Sequence, residues 1–290
     1  MTDHLKGLLL TTLGVLFVVP DSLYVRLISG DALAVAFWRA VSAGAIILIG
    51  VLLIQGWAAI RASLSTGWPG VIYMLLMGST APGFVLAVTQ TSVANVVFIF
   101  AAMPVFAAIF GRIFLGEWIS RRMVLTMMGV FVGLGIIAYG TGENEVASWR
   151  GDIWALIVCI AYAGALTAVR KVKSVSMIPA IPISYLGAGL VLLPFCAPLE
   201  VVPGQTHLLL GHGAFIAVAT CFLTLGPRFI SSAEVALLIL LESVLAPLLV
   251  WAWVGEDPGR WTLIGGAVVI GALLISNATA LRRRRATVPG

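Results

Sequence analysis

Three ionisable residues lie inside stretches of the sequence that are otherwise apolar: Asp21, Arg39 and Glu242. Glu242 falls within LLILLESVLAPLLVWAW, where no lysine or arginine accompanies it. A charged residue at the bilayer centre costs about 2.5–3.5 kcal/mol on insertion scales, so such residues face a helix bundle or a cavity and mark the path of a substrate or ion. The chemistry that these three residues predict is ion pairing, proton transfer or the binding of a charged group.

The carboxylates of Asp21 and Glu242 both compete as partners for Arg39, and the sequence leaves the choice open. An Asp21–Arg39 pair would be structural and would leave Glu242 without an evident cation. Desolvation favours the protonated form of an unpaired carboxyl, so Glu242 would become a candidate proton carrier or a docking point for a substrate amine. The alternative for Glu242 is a neutral acid that is hydrogen-bonded to a neighbouring helix.

The elements that must hold these residues are membrane-spanning helices. Of the 290 residues, 61% are hydrophobic and 10% are charged, and the mean hydropathy is +1.10; soluble domains carry about 25% charged residues. A helix needs about 20 apolar residues to cross the hydrocarbon, and this predicts an all-α polytopic membrane protein with ten spans. The spans are 5–27, 32–54, 69–89, 92–115, 122–140, 151–169, 177–199, 208–227, 231–253 and 261–280.

The distribution of lysine and arginine predicts the orientation of these spans. With the N-terminus in the cytoplasm, thirteen of the seventeen basic residues fall at cytoplasmic ends, three fall at the opposite ends, and Arg39 lies within a span. Cytoplasmic loops are enriched in Lys and Arg, so we expect a multi-pass protein of the bacterial inner (plasma) membrane with both termini cytoplasmic. The net charge of +5 is then an orientation signal, and no nucleic-acid partner is predicted.

The chain contains an internal repeat. Residues 92–117 align without a gap with 231–256, since both begin with Ser and end with Gly-Glu, and 6–26 aligns with 150–170 from basic-Gly to Arg. Five spans therefore repeat as five, which predicts two halves, 1–145 and 146–290. Because five is odd, the halves enter the membrane from opposite sides, an inverted repeat typical of secondary transporters with a substrate site near the midplane.

Further candidate site residues follow from the repeat and from the charged positions. Asn95 occupies the position that matches Glu234 in the second half, which lies on the same helical stripe as Ser231 and Glu242. Aromatic faces suit an ammonium group or an apolar side chain, and three aromatic residues lie near the charges or in the equivalent first helix of the second half. The candidate substrate-binding or coupling residues are Glu242, Arg39, Asp21, Tyr24, Trp38, Asn95 and Tyr162.

Several motifs resemble the repeat pattern of the EamA family in the drug/metabolite transporter superfamily. They are FWRA (37–40), PVFAAIFGRIFLGE (104–117), GDIWALIVCIAYA (151–163) and AEVALLILLESVLAP (233–247). The resemblance implies ten helices in a 5+5 inverted repeat, a standing arginine in span 2, and export of amino acids and other small metabolites by bacteria.

The chain departs from that family's pattern at one proline. The proline twelve residues before Gly-Glu is Pro104 in the first half, whereas its counterpart is Ser243 and the second-half proline is Pro247. We expect alternating access between the halves, with Pro20, Pro82, Pro104 and Pro247 as candidate hinges. The glycine-rich stretches 129–135 and 265–272 predict close packing of helices, either within the chain or with a second protomer.

The sequence predicts no enzyme, no cofactor and no metal site. The three histidines form no HExxH motif, the titratable groups do not cluster, and no G-x-x-x-x-G-K-[ST] motif is present to bind a nucleotide. The partners that we expect are the lipid bilayer and a small-molecule substrate, foremost an amino acid with an aromatic or large neutral side chain. Another small organic solute, or a channel-like permease, is the alternative. We expect a monomer, with a homodimer left open.

Overall fold

A computed structural model describes residues 3–141, 147–172, 175–198, 204–225, 229 and 232–286. The described regular structure is entirely helical: α1 Asp3–Val18, α2 Asp21–Leu27, α3 Ala32–Ile54, α4 Gly56–Leu64, α5 Trp68–Gln90, α6 Val93–Phe100, α7 Met103–Leu115, α8 Arg121–Thr141, α9 Trp149–Lys171, α10 Ile181–Leu192, α11 Thr206–Leu225, α12 Ser232–Val254 and α13 Arg260–Ala286, with 3-10 turns at Ile178–Ala180 and Leu193–Phe195.

Eight stretches are long and apolar enough to cross a membrane. Two further apolar segments, Leu241–Val254 and Arg260–Ser276, are shorter over the part that the structure describes. Large apolar side chains such as Leu53, Ile54 and Leu190 are exposed on the outside of the bundle, where lipid would cover them. The eight spans are His4–Leu27, Ala32–Ile54, Trp68–Gln90, Val93–Leu115, Arg121–Thr141, Trp149–Lys171, Ile178–Phe195 and Thr206–Leu225.

Two of the four candidate hinge prolines lie where a span is interrupted. Pro20 separates α1 from α2, and Pro104 lies in the first turn of α7, just after the break between α6 and α7. Proline lacks the N–H that a helix interior needs but is tolerated in a first turn. Pro82 and Pro247 instead lie inside the helices α5 and α12. The hinge role of all four stays a prediction.

The glycine-rich stretches of α8 and α13 pack against each other within the chain. A Cβ added at Gly133 would come within 2.8 Å of the Gly265 carbonyl oxygen, and a Cβ at Gly265 would come within 2.7 Å of the Gly133 carbonyl oxygen. The two backbones therefore approach so closely that only glycine fits at either position. This is the small-residue packing that membrane helices use in place of a hydrophobic driving force.

Replacing Gly133 with leucine is expected to prevent this approach and to destabilise the fold. Overpacking costs about 1–3 kcal/mol and sometimes more, and here the obstacle is backbone that cannot rotate away. Gly135→Leu is the matched control, because a Cβ on that exposed residue of the same helix meets nothing within 4 Å. Monodisperse yield on fluorescence-detected gel filtration should fall for Gly133→Leu alone; equal yields of the two variants would contradict the packing argument.

Candidate functional site

A cavity of about 180 Å³ lies among the helices and is lined by residues of both predicted halves. An engineered cavity of about 150 Å³ holds benzene, so this one has room for a group the size of one aromatic ring. Its walls are largely apolar, with Phe84 and Phe100 from the first half and Val158 and Leu166 from the second. The polar residues that line it are Asp21, Arg39, Thr80, Tyr162, Tyr185, Thr220, Glu242 and Ser243.

Arg39 pairs with Asp21, which settles the choice that the sequence left open. The guanidinium donates from Nε to Asp21 Oδ1 at 3.0 Å and from Nη2 to Asp21 Oδ2 at 2.6 Å, so the pair is bidentate. Asp21 is the first residue of α2, directly after the break at Pro20, and Arg39 lies in the second turn of α3. Both side chains are buried, and the Arg39 guanidinium also lies over the Phe84 ring, 5.2 Å from its centroid.

His212 is a third member of this cluster, and the sequence analysis missed it. Its Nε2 lies 2.5 Å from Asp21 Oδ1, its side chain is fully buried, and the ring of Tyr24 stacks on it at a centroid distance of 5.3 Å. The signal was available, since His212 is an ionisable residue inside an apolar span, the criterion that identified the other three.

Glu242 also lines the cavity, but it has no comparable partner. Among the described residues, no hydrogen bond or ion pair reaches its carboxylate. The neighbouring Ser243 donates from Oγ to the Val97 carbonyl at 3.2 Å, which ties α12 to α6 beside the cavity. The carboxylate of Glu242 is therefore available to a ligand that enters the cavity.

Four of the seven candidate site residues line the cavity: Asp21, Arg39, Tyr162 and Glu242. Two of the others lie outside the lining. Tyr24 stacks on His212, and Trp38 donates from Nε1 to the Pro198 carbonyl at 2.8 Å. The side chain of Glu234 and residue Ser231 lie outside the described residues.

Asn95, which we expected to be a lining residue, is instead buried in a polar network at one end of the bundle. Its Nδ2 donates to Thr141 Oγ1 at 3.0 Å and to Asp152 Oδ1 at 3.0 Å, and its Oδ1 accepts from Thr262 Oγ1 at 2.7 Å. Asp152 also accepts from Thr91 at 2.7 Å. The network joins α6, α8, α9 and α13. Its hydrogen bonds hold the Asn95 side chain away from the cavity.

Two Arg–Glu pairs lie at opposite ends of the bundle. Each pair is formed by the same two positions of the sequence repeat. Arg26 and Arg170 are equivalent in the sequence repeat, as are Glu117 and Glu256. Arg26 Nε lies 2.7 Å from Glu256 Oε2, and Arg170 Nη2 lies 2.5 Å from Glu117 Oε1. Each pair therefore joins one predicted half to the other. We call them the Glu256 pair and the Glu117 pair.

The two pairs differ in burial and in additional bonds. In the Glu256 pair the side chains are 17% and 7% exposed, and in the Glu117 pair they are 55% and 43% exposed. Glu256 Oε1 also accepts from the Val93 backbone N–H at 2.6 Å, and Arg26 Nη2 donates to the Thr91 carbonyl at 2.8 Å. The Glu256 end, which also holds the Asn95 network, is the more tightly bonded end.

An all-helical chain with several membrane-spanning helices around a partly polar cavity is a multi-pass membrane protein of the transporter class. The model of the EamA-like transporter family matches residues 5–139 and again 149–278. These two matches account for most of the chain, and the chain belongs to this family.

Two curated relatives are distant. One, described as "Uncharacterized transporter YdfC", from Bacillus subtilis (strain 168), is 24% identical over 59% of this chain and 58% of its own length. The other, described as "Probable terminal-alkyne amino-acid exporter", from Streptantibioticus cattleyicolor, is 26% identical over 66% of this chain and 66% of its own length. The chain thus spans less than two thirds of either relative.

One solved structure supports the fold over nearly the whole chain. A protein of known crystal structure superimposes with a TM-score of 0.68 over 97% of this chain and 99% of that chain. Its sequence identity is 16%, so the likeness concerns the fold alone.

Proposed function

We propose that the protein is a secondary transporter of the bacterial inner membrane that exports small metabolites with an amino group. Amino acids with aromatic or large neutral side chains are the first candidates. The observation that carries this proposal is the unpaired Glu242 carboxylate in a cavity whose other lining is largely apolar and aromatic. The Streptantibioticus relative, described as a probable amino-acid exporter, agrees with the substrate class, and the family agrees with transport.

The architecture that we propose is ten helices in a 5+5 inverted repeat, divided at about residue 145. The two matches of the family model fall one in each half. The Glu256 and Glu117 pairs join equivalent residues at opposite ends, which is what an inverted repeat would produce. Both termini would then lie in the cytoplasm, at the Glu117 end of the bundle.

Alternating access would consist of the two halves rocking so that an Arg–Glu pair breaks when its end of the bundle opens; in this structure both pairs are formed, at 2.7 Å and 2.5 Å. The buried Glu256 pair and the Asn95 network would close the outer end. The cavity lining reaches toward the Glu117 end at Leu166, Leu223 and Ile239, and toward the Glu256 end at Asp21, Phe84 and Val97.

The size and chemistry of the cavity support this substrate class. A volume of about 180 Å³ suits a single aromatic or branched side chain better than a nucleotide sugar. Ring faces attract a cation and pack against apolar groups, and Phe84, Phe100 and Tyr162 provide them. Glu242 would then hold the amino group while the rings surround the side chain.

Glu242→Gln is expected to reduce saturable counterflow of labelled phenylalanine at least tenfold in liposomes that contain the purified protein. The amide removes the negative charge at nearly constant volume. Asp257→Asn is the matched control, because it removes an exposed carboxylate outside the cavity lining. Loss of all exchange makes Glu242 a substrate contact, whereas loss of only the component driven by a pH gradient makes it the proton carrier. Wild-type transport by Glu242→Gln, or non-saturable flux by the wild type, would contradict the proposal.

A further inference from the structure

We infer that the cavity recognises the ammonium group of its substrate and not the carboxylate, so that primary amines with an apolar body bind at least as well as the corresponding amino acids. The inference rests on the proposed function and assigns the chemical class that the site selects. It follows from how the three formal charges at the cavity, on Asp21, Arg39 and Glu242, are already partnered.

Arg39 is the guanidinium that a substrate carboxylate would need, and Asp21 already occupies one edge of it. Nε and Nη2 together form one edge of the guanidinium, and both donate to the two oxygens of Asp21. Bidentate pairing of this kind is the strongest arrangement that a guanidinium makes with a carboxylate. The Phe84 ring also covers the guanidinium. His212 Nε2 lies within hydrogen-bonding distance of Asp21 Oδ1. A substrate carboxylate would find only the Nη1 side of the guanidinium, and Asp21 already neutralises the charge of Arg39.

The charges at the cavity therefore sum to one negative charge when Glu242 is ionised. Asp21 and Arg39 cancel each other, and among the described residues no hydrogen bond or ion pair within 4 Å reaches Glu242. The other titratable side chains that line the cavity are Cys159, Tyr162 and Tyr185, which add no positive charge. A substrate carboxylate would enter against this negative charge, whereas an ammonium group would neutralise it.

The hydroxyl groups of the cavity also favour the ammonium group of a substrate. Thr80 Oγ1 donates its hydrogen to the Met77 carbonyl at 2.6 Å, and Ser243 Oγ donates its hydrogen to the Val97 carbonyl. A hydroxyl has one hydrogen but two lone pairs, so both oxygens are left as acceptors. An ammonium group carries three donors and suits such acceptors together with Glu242. The tyrosine hydroxyls offer neutral donors, which cannot neutralise a carboxylate.

Three compounds that share one phenyl ring separate the head groups: phenethylamine, L-phenylalanine and 3-phenylpropionate. We expect phenethylamine to stabilise the detergent-purified protein against thermal unfolding at concentrations no higher than phenylalanine requires. Its half-maximal concentration should be at least tenfold lower than that of 3-phenylpropionate. The same order should hold for inhibition of labelled phenylalanine counterflow, with protein-free liposomes correcting for passive leak of the amine. Glu242→Gln should weaken the stabilisation by phenethylamine at least tenfold, and Asp257→Asn should leave it unchanged.

The outcomes separate this inference from the proposed function. Saturable phenylalanine counterflow with no effect of phenethylamine in either assay, or with 3-phenylpropionate acting as strongly, overturns the inference and leaves amino-acid transport standing. Binding and exchange of phenethylamine without phenylalanine counterflow supports the inference and overturns the amino-acid assignment. No effect of any of the three compounds overturns both. Undiminished stabilisation of Glu242→Gln by phenethylamine also overturns the inference.

Discussion

Asp21→Asn is expected to destabilise the protein by about 3–5 kcal/mol, the range measured when one partner of a buried ion pair is removed. The substitution leaves the guanidinium of Arg39 buried without the carboxylate that now binds it through two hydrogen bonds. The nearest remaining carboxylate at the cavity is that of Glu242, and pairing with it would occupy the proposed substrate site. We therefore expect transport to be lost together with stability. Thermal and denaturant unfolding of the detergent-purified protein measures the first effect, and counterflow measures the second.

Two comparisons separate the loss of pairing from the loss of a charge. Glu117→Gln removes one partner of the exposed Glu117 pair, and such pairs contribute about 0–1 kcal/mol. The double variant Asp21→Leu with Arg39→Met removes both buried charges and should recover part of the stability. Recovery is incomplete because His212 also loses its partner. An Asp21→Asn variant that unfolds like the wild type would contradict the structural role of the pair.

The charged residues of the site could be predicted from the sequence because ionisable residues are rare in membrane-spanning segments. Asp21, Arg39 and Glu242 differ from everything around them, and a buried ionisable group needs a reason to be there. The structure brings all three to one cavity, together with Tyr162. The family could also be recognised, because FWRA (37–40), PVFAAIFGRIFLGE (104–117) and the other quoted motifs resemble its repeat pattern.

The neutral part of the site could not be predicted, because in a membrane the lipid-facing and core-facing sides of a helix are both apolar. The hydrophobic pattern then does not fix which way a helix turns its side chains. Thr80 and Tyr185 look like ordinary span residues until the tertiary structure places them at the cavity. The same ambiguity explains Asn95, whose position in the repeat was known but whose direction depended on the packing of α6 against α9 and α13.

Glu256→Gln is expected to open the outer end of the cavity and to increase labelling from that side about tenfold to a hundredfold. Hydrogen bonds to charged groups contribute about 1.5–3 kcal/mol, and about 1.4 kcal/mol is a factor of ten in an equilibrium constant. The carboxylate accepts from Arg26 and from the Val93 N–H at the closed end, so its loss destabilises the closed state. The reporter is Thr220→Cys, a partly accessible cavity residue, in a chain whose three native cysteines are replaced by alanine. A membrane-impermeant maleimide is applied to right-side-out and inside-out vesicles.

Glu117→Gln is expected to act in the opposite direction, and this contrast is the sharpest test of alternating access. If the Glu117 pair, which is formed in this structure, holds the inner end closed, removing it favours the conformation that is open to the cytoplasm. Labelling of the Thr220→Cys reporter should then fall in right-side-out vesicles and rise in inside-out vesicles. Exchanging the two charges of the Glu256 pair, with Arg26→Glu and Glu256→Arg, should restore labelling toward the reporter background. Changes of the same sign for Glu256→Gln and Glu117→Gln would show that the pairs are structural only, because two pairs that close opposite ends of one cavity must shift its conformations in opposite directions.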